Sequence, residues 1–308
     1  MSKIAFVFPG QGSQQVGMLT EFSEQYDIVK QTVAEANDAL GYDLGDLIAN
    51  GPVEELNRTQ ITQPALLTAS VALYRLWQAE GGVEPMLFAG HSLGEYSALV
   101  AAGVVAFSDA VKLVETRGQL MQNAVPAGEG LMAAVLGLDD QSVIDGCAAA
   151  AQGDVVSAVN FNTDGQVVIA GAKAAVERAM DELKTRGAKR VMPLTVSVPS
   201  HCALMKPAAE QLAESLQATS FATPSAPVVQ NRSAEPATTA EQIKSNLLEQ
   251  LYMPVLWTRT VSYLVDSGVE EIIECGPGKV LTGLNKRMAK SLTHTVIGQV
   301  SAFQERIG

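Results

Sequence analysis

The chain has 308 residues, 47% of them hydrophobic and 18% charged, and a formal net charge of -12. Such a length buries a large core with room for one inserted subdomain, while the acidic balance and the lack of basic tracts exclude nucleic acid as a partner. No apolar run approaches the roughly 20 residues that cross a bilayer, so a membrane-spanning class is excluded as well.

The stretch Met1 to Pro9 is too short in apolar residues for a signal peptide, which makes the cytoplasm the expected location. Cys147, Cys202 and Cys275 are odd in number and lack C-x-x-C spacing, so neither a disulfide framework nor a metal site is expected. Ile4 to Phe8 reads as a buried parallel strand, followed by the glycine-rich turn Pro9-Gly10-Gln11-Gly12-Ser13-Gln14. A phosphate loop is the rival reading, but the turn has neither a G-K-[ST] ending nor G-x-G-x-x-G spacing.

Pro85 to Ala89 reads as a second buried strand and Glu95 to Gly103 as a helix, with Gly90-His91-Ser92-Leu93-Gly94 between them. A G-x-S-x-G segment at a strand-to-helix turn is a nucleophile elbow, with Ser92 as the nucleophile. The backbone N–H of Leu93 then faces a developing oxyanion, and Gln11 supplies a second donor if the first turn lies beside the elbow. Phe107 to Met121 follows as a helix whose Val111, Val114 and Met121 share a face. Arg117 falls on that inner stripe, where pattern alone leaves a snorkelling side chain or a buried ion pair with a protein carboxylate open.

From Gly128 to Val196 the pattern becomes self-contained: strand Leu131–Leu138, helix Asp140–Ala150, strands Val155–Phe161 and Gln166–Ala170, helix Ala174–Thr185 and strand Lys189–Val196. The order βαββαβ is ferredoxin-like. The expected fold class is therefore α/β, with a larger α/β-hydrolase-like body (1–127 and 197–308, parallel sheet) and an inserted ferredoxin-like subdomain (128–196). The site is expected in the cleft between them, with Asn160, Asn162 and Arg190 as candidate ligand contacts on the subdomain side.

Ser92 needs a base, and the chain has 3 histidines. His91 adjoins the serine and is expected to point elsewhere, while His294 sits in the strand-like run Thr293 to Ile297. His201, in a loop before the helical pattern Ala203 to Leu216, is the expected base. Cys202 is the weaker alternative nucleophile, since it adjoins its own base.

Phe8-Pro9-Gly10-Gln11-Gly12-Ser13-Gln14, Thr62-Gln63-Pro64-Ala65, Gly90-His91-Ser92-Leu93-Gly94-Glu95, Val198-Pro199-Ser200-His201 and Glu274-Cys275-Gly276-Pro277-Gly278 resemble the signature set of the malonyl-CoA:acyl carrier protein transacylases. The set keeps the family's order and spans nearly the whole chain, closest to the stand-alone bacterial enzyme of fatty acid synthesis. The resemblance implies a Ser92–His201 dyad without an acidic third member, the imidazole being oriented by the backbone carbonyl of Gln250. It also implies that Arg117 binds the free carboxylate of the substrate. Malonyl-CoA and acyl carrier protein are the implied partners, with no cofactor and a monomer expected. An acidic carrier protein must meet an acidic enzyme, which turns attention to Lys286, Arg287 and Lys290, assigned to the penultimate helix, and to Lys189, Arg190 and Lys206. A serine thioesterase and a catalytically silent carrier-binding module are the alternatives, separated by hydrolysis without a thiol acceptor and by binding without acyl-serine.

Overall fold

The computed structural model describes residues 3–195 and 198–308. The expected strand end at Val196 and the boundary between 196 and 197 lie outside the described residues, as do Met1 and Ser2. The chain runs from β1 (Ile4–Phe8) through α1 (Thr20–Gln25), α2 (Asp27–Leu40), α3 (Leu44–Asn50), α4 (Val53–Leu56) and α5 (Thr59–Ala79) to β2 (Leu87–Gly90), α6 (Gly94–Ala101) and α7 (Phe107–Asn123). Next come β3 (Gly130–Leu136), α8 (Asp140–Ala151), β4 (Val156–Thr163), β5 (Gln166–Ala172), α9 (Lys173–Thr185) and β6 (Arg190–Pro193). A 3-10 turn at Ala203–Met205 leads into α10 (Lys206–Ala218), then β7 (Val228–Val229), α11 (Ala240–Tyr252), α12 (Trp257–Asp266), β8 (Glu271–Glu274), α13 (Val280–Met288), β9 (Thr293–Val296) and α14 (Val300–Ile307).

Five strands form a parallel sheet in the order β7-β2-β1-β8-β9. β1 is apolar at every position because both faces are covered, as parallel sheets require. Phe6 and Phe8 pack into one core with Ala65 and Trp77 of α5, while Ala5 and Val7 pack into another with Trp257, Val261 and Leu281. The carboxyl ends of the neighbouring strands β2, β1 and β8 therefore open on one edge, where ligands gather in sheets of this kind.

A separate antiparallel sheet runs β4-β5-β3-β6. Ala133, Val135, Phe161 and Ile169 bury one face against α8 and α9. On the opposite face Met132, Val159, Val168 and Ala170 pack around Cys202, beside the His201 loop. Val255 joins the two layers: its N–H donates to Val159 O and its carbonyl accepts from Phe161 N, at 2.9 and 3.0 Å.

Most element ends fall within two residues of expectation; three departures concern Pro193, Pro207 and Lys290. β6 ends at Pro193, short of expectation, although Leu194 N–H still donates to Met132 O at 2.8 Å. The helix expected from Ala203 starts as a 3-10 turn, since Pro207 cannot donate back to Ala203 and belongs in the first turn of α10. Lys290 lies beyond the end of α13 at Met288 and is not part of that helix.

α13 forms one wall of the cleft and is tied to the sheet by Glu274, the buried last residue of β8. Its carboxylate accepts from the Leu281 and Thr282 N–H groups at 3.0 and 2.7 Å, at the positive end of the helix. Glu274→Ala leaves two buried donors without an acceptor, and the expected loss is roughly 1 to 3 kcal/mol for each. Urea unfolding measures it; a midpoint equal to the parent's would show that α13 is held by packing alone.

Candidate active site

β2 carries the serine turn to the cleft, and the turn lies against the end of β1, where His91 N–H donates to Phe8 O at 3.0 Å. The turn is strained at Ser92 itself, whose φ is 52°. The flanking glycines serve close approach instead: a Cβ on Gly90 would fall 2.0 Å from the Gly94 carbonyl group, and one on Gly94 2.0 Å from Phe8 O. Asn231 braces the turn from outside. Its Oδ1 accepts from Ser92 N at 2.7 Å and its Nδ2 donates to Gly90 O at 2.6 Å.

Ser92 Oγ stands 2.8 Å from His201 Nε2. His201 is also in the left-handed region, at φ 64°, and it caps a helix end. Its backbone N–H donates to Leu251 O at 2.9 Å and its Nδ1–H to Gln250 O at 2.6 Å, so two terminal carbonyls of α11 find donors in one residue. A carbonyl only accepts, which puts the ring proton on Nδ1 and leaves Nε2 bare to accept from the Ser92 hydroxyl. Burial, then the Arg117 cation and His91, push the His201 pKa down to about 3 against the pull of the Gln250 carbonyl. His201 is thus a neutral acceptor at physiological pH.

Arg117 is 1% exposed and points at the same serine. Nη1 donates to Gln63 Oε1 at 2.7 Å, and Nη2 donates to Gln250 Oε1 at 2.9 Å and to Ser92 Oγ at 3.4 Å. Its Nε finds no hydrogen-bond partner, and the guanidinium lies 5.4 Å over the Tyr96 ring. Among the described residues its hydrogen-bond partners include no carboxylate.

The cleft, about 370 Å³, is lined by Gln11, Ser92, Leu93, Arg117 and His201 from the larger layer and by Asn160 and Asn162 from the small sheet. Among the described residues, neither Leu93 N–H nor Gln11 N–H donates a hydrogen bond, which leaves both open to a ligand. The Gln11 side chain turns to Thr59 Oγ1 at 3.3 Å. Asn162 Oδ1 meets His91 Nε2 at 2.9 Å, so His91 supports the small-sheet wall, whereas Asn160 Oδ1 is buried without a partner. Arg190 is exposed on the edge strand β6 and does not line the cleft, contrary to expectation. Lys286 and Arg287 are exposed on α13, and Arg287 Nη1 donates to Gln166 Oε1 at 3.2 Å on the cleft rim. Lys189 and Lys206 are exposed, Lys206 lying over Tyr252. Cys202 is buried, its thiol pushed up to about 11 by burial, and His294, on β9, bonds through Nε2 to the carbonyl of Ala289, just past α13. Among the described residues no cluster of metal-ligating side chains occurs, and no helix is long and apolar enough to cross a membrane.

Residues 5–303 match the acyl transferase domain family. The malonyl CoA-acyl carrier protein transacylase of Escherichia coli K12 is 59% identical over 303 residues, 98% of each chain, and that of Bacillus subtilis 48% identical over 295, 95% of this chain and 92% of the relative. The chain belongs to the malonyl-CoA:acyl carrier protein transacylases. An acyl carrier protein S-malonyltransferase from Vibrio cholerae superposes with a TM-score of 0.97 at 58% identity, over 99% of this chain and 100% of that one. A malonyl-transacylase solved in complex with a type II PKS acyl-carrier protein gives 0.98 at 54% identity, over 99% of both.

Within this transacylase fold the structure brings in three groups with no role in the sequence reading. Gln63 lies in Thr62-Gln63-Pro64-Ala65 and Glu95 directly follows the serine turn, so each carries a local signal but none for its role. Asn231, after the short strand β7, carried none. Glu95 is fully buried, its Oε2 accepting from Asn231 N and Gln250 Nε2, both at 2.9 Å. Burial pushes its carboxyl up to about 7, against those two donors and Arg117.

The charge arrangement has a direct readout in the His201 ring resonances by NMR. His201 is expected to stay neutral from pH 8 to below 5, and in Arg117→Ala its pKa rises, because removing a nearby cation favours the imidazolium. An ordinary titration near 6.5 in the parent protein would contradict this electrostatic picture.

Proposed function

We propose that this chain transfers the malonyl group of malonyl-CoA to the pantetheine thiol of acyl carrier protein through a malonyl ester on Ser92. The observation that carries the reading is a buried arginine beside the nucleophile with neutral amides for partners: it has a charge to offer and no protein carboxylate bonded to it. A malonyl group has a thioester carbonyl to attack and a free carboxylate for that fork.

In the first half-reaction the Ser92 proton passes to His201 Nε2 as Oγ bonds to the thioester carbon. The Leu93 and Gln11 N–H groups hold the oxyanion. The carbon–sulfur bond then breaks, and CoA leaves as the thiol with the proton from His201. In the second half-reaction His201 takes the proton of the pantetheine thiol, sulfur attacks the ester carbon, and the proton returns to Ser92 Oγ. Thioester is exchanged for ester and back, so no oxidant or cofactor enters the balance. The Gln250 carbonyl keeps His201 in the right tautomer throughout and stabilises its transient charge. Asn160 and Asn162 on the small-sheet wall suit the polar pantetheine arm, and Lys286 with Arg287 at the rim suits an acidic carrier protein. The two layers correspond in this reading to an α/β-hydrolase-like body, 1–127 and 197–308, and a ferredoxin-like insert, 128–196. The small sheet's β4-β5-β3-β6 order supports the second label.

Intact mass after brief exposure to malonyl-CoA is expected to show no adduct in Ser92→Ala, while His201→Ala slows both half-reactions by about 10²- to 10⁴-fold. A normal adduct on the alanine variant rules out Ser92. For Arg117→Ala, malonyl loading is expected to fall by roughly 30-fold or more, while acetyl loading from acetyl-CoA holds or rises. Parallel loss of both would make Arg117 structural. Replacing Lys286 and Arg287 together by Glu is expected to slow transfer to carrier protein at low salt and leave loading from CoA intact. Equal loss in both half-reactions would place docking elsewhere.

A further inference from the structure

We propose that Glu95, which lines no part of the cleft, is a positioning residue for acyl selection: it fixes the Gln250 amide with its oxygen toward Arg117 and thereby aims the guanidinium. The inference rests on the reading of Arg117 as the carboxylate site and names what sets that site's geometry.

A glutamine amide presents an acceptor at one side and two N–H donors at the other, and the two orientations have nearly the same shape. Around Gln250 the surroundings choose between them. Nε2 faces two acceptors, Ser92 O at 3.0 Å and Glu95 Oε2 at 2.9 Å, while Oε1 faces the Nη2 donor of Arg117 at 2.9 Å. Reversed, the amide would turn its oxygen on two acceptors and its N–H groups on a cation. Glu95 is one of the two acceptors enforcing the choice, and it is itself held by Asn231 N at 2.9 Å. Asn231 is also the residue whose side chain braces Ser92 N and Gly90 O. One chain of hydrogen bonds therefore runs from the elbow through Asn231, Glu95 and Gln250 to the guanidinium, and it registers the nucleophile against the cation that receives the substrate carboxylate. Arg117 depends on this support: Nε is unpartnered, and apart from the long contact to Ser92 Oγ its fork rests on Gln63 and Gln250. Acceptance by Oε2 requires an oxygen lone pair and not a charge, so an amide at position 95 keeps it.

The test is the ratio of kcat/KM for malonyl-CoA over acetyl-CoA in acyl-enzyme formation, with thermal unfolding as the control for folding. In Glu95→Ala the ratio is expected to fall ~10-fold, the scale of one buried hydrogen bond left unmade, malonyl loading falling by more than acetyl loading. Glu95→Gln is expected to restore the ratio to within about 3-fold of the parent. An unchanged ratio in folded Glu95→Ala, with or without equal loss of both substrates, overturns the proposal, as does failure of the glutamine variant to restore it. If the alanine variant does not fold, Gln250→Met removes the amide and keeps the backbone carbonyl under His201; the same fall in ratio is expected, and an unchanged ratio again overturns the proposal. Arg117→Ala in the same assay keeps the two readings apart. Parallel loss there defeats the carboxylate site itself, whereas selective loss there with an unchanged ratio in Glu95→Ala defeats the positioning role alone.

Discussion

A guanidinium buried among neutral amides is the constraint around which the site is arranged. Removing a cation from water costs several kcal/mol unless its hydrogen bonds are replaced and its charge is met. Gln63 and Gln250 replace hydrogen bonds at both Nη atoms, and the Tyr96 ring offers its electron-rich face. The carboxyl group of Glu95 makes no hydrogen bond to Arg117: both bond the Gln250 amide, and the carboxyl meets the cation only by charge across it. The protein thus carries the desolvation cost of a cation with no carboxylate bonded to it among the described residues, and in the proposed reaction a substrate carboxylate would gain what the fold has forgone.

The same cation shapes the base. Arg117 lowers the His201 pKa, while the Gln250 carbonyl on the opposite ring nitrogen raises it. In the proposed reaction a substrate carboxylate on Arg117 would cancel part of the first effect, and an acidic acyl group would then make His201 a better proton acceptor than a neutral one. Selectivity and reactivity then share one electrostatic origin. Two of the four non-glycine residues with positive φ among the described residues, Ser92 and His201, face each other here, and each is over-determined: Ser92 by Asn231, His201 by the end of α11.

Much of this frame was legible in the sequence because it depends on local pattern. The apolar run Ile4 to Phe8 is β1 to the residue, and the order of the six elements of the small sheet follows from alternation and turn chemistry. The elbow glycines were legible for a related reason: at each, backbone approaches where a Cβ would stand, Gly94 at Gly90 and Phe8 at Gly94. Contacts made across the sheet edge were not legible. Asn231 reaches residues 139 and 141 positions away, and nothing in Val228 to Asn231 signals it. Arg190 reads as a basic side chain near the site, yet its edge strand leaves it outside the cleft. Lys290 reads as part of a helix that ends two residues earlier, a boundary that periodicity does not resolve.

The central claim is that the substrate carboxylate completes the charge of Arg117. A crystal structure of the protein with malonyl esterified to Ser92 tests it most directly. The account predicts both carboxylate oxygens about 3 Å from the guanidinium, with the Gln250 amide oxygen still on Nη2 and the ester carbonyl oxygen toward Leu93 and Gln11. A carboxylate left in solvent, with Arg117 bonded only to Gln63 and Gln250 as before, would contradict it.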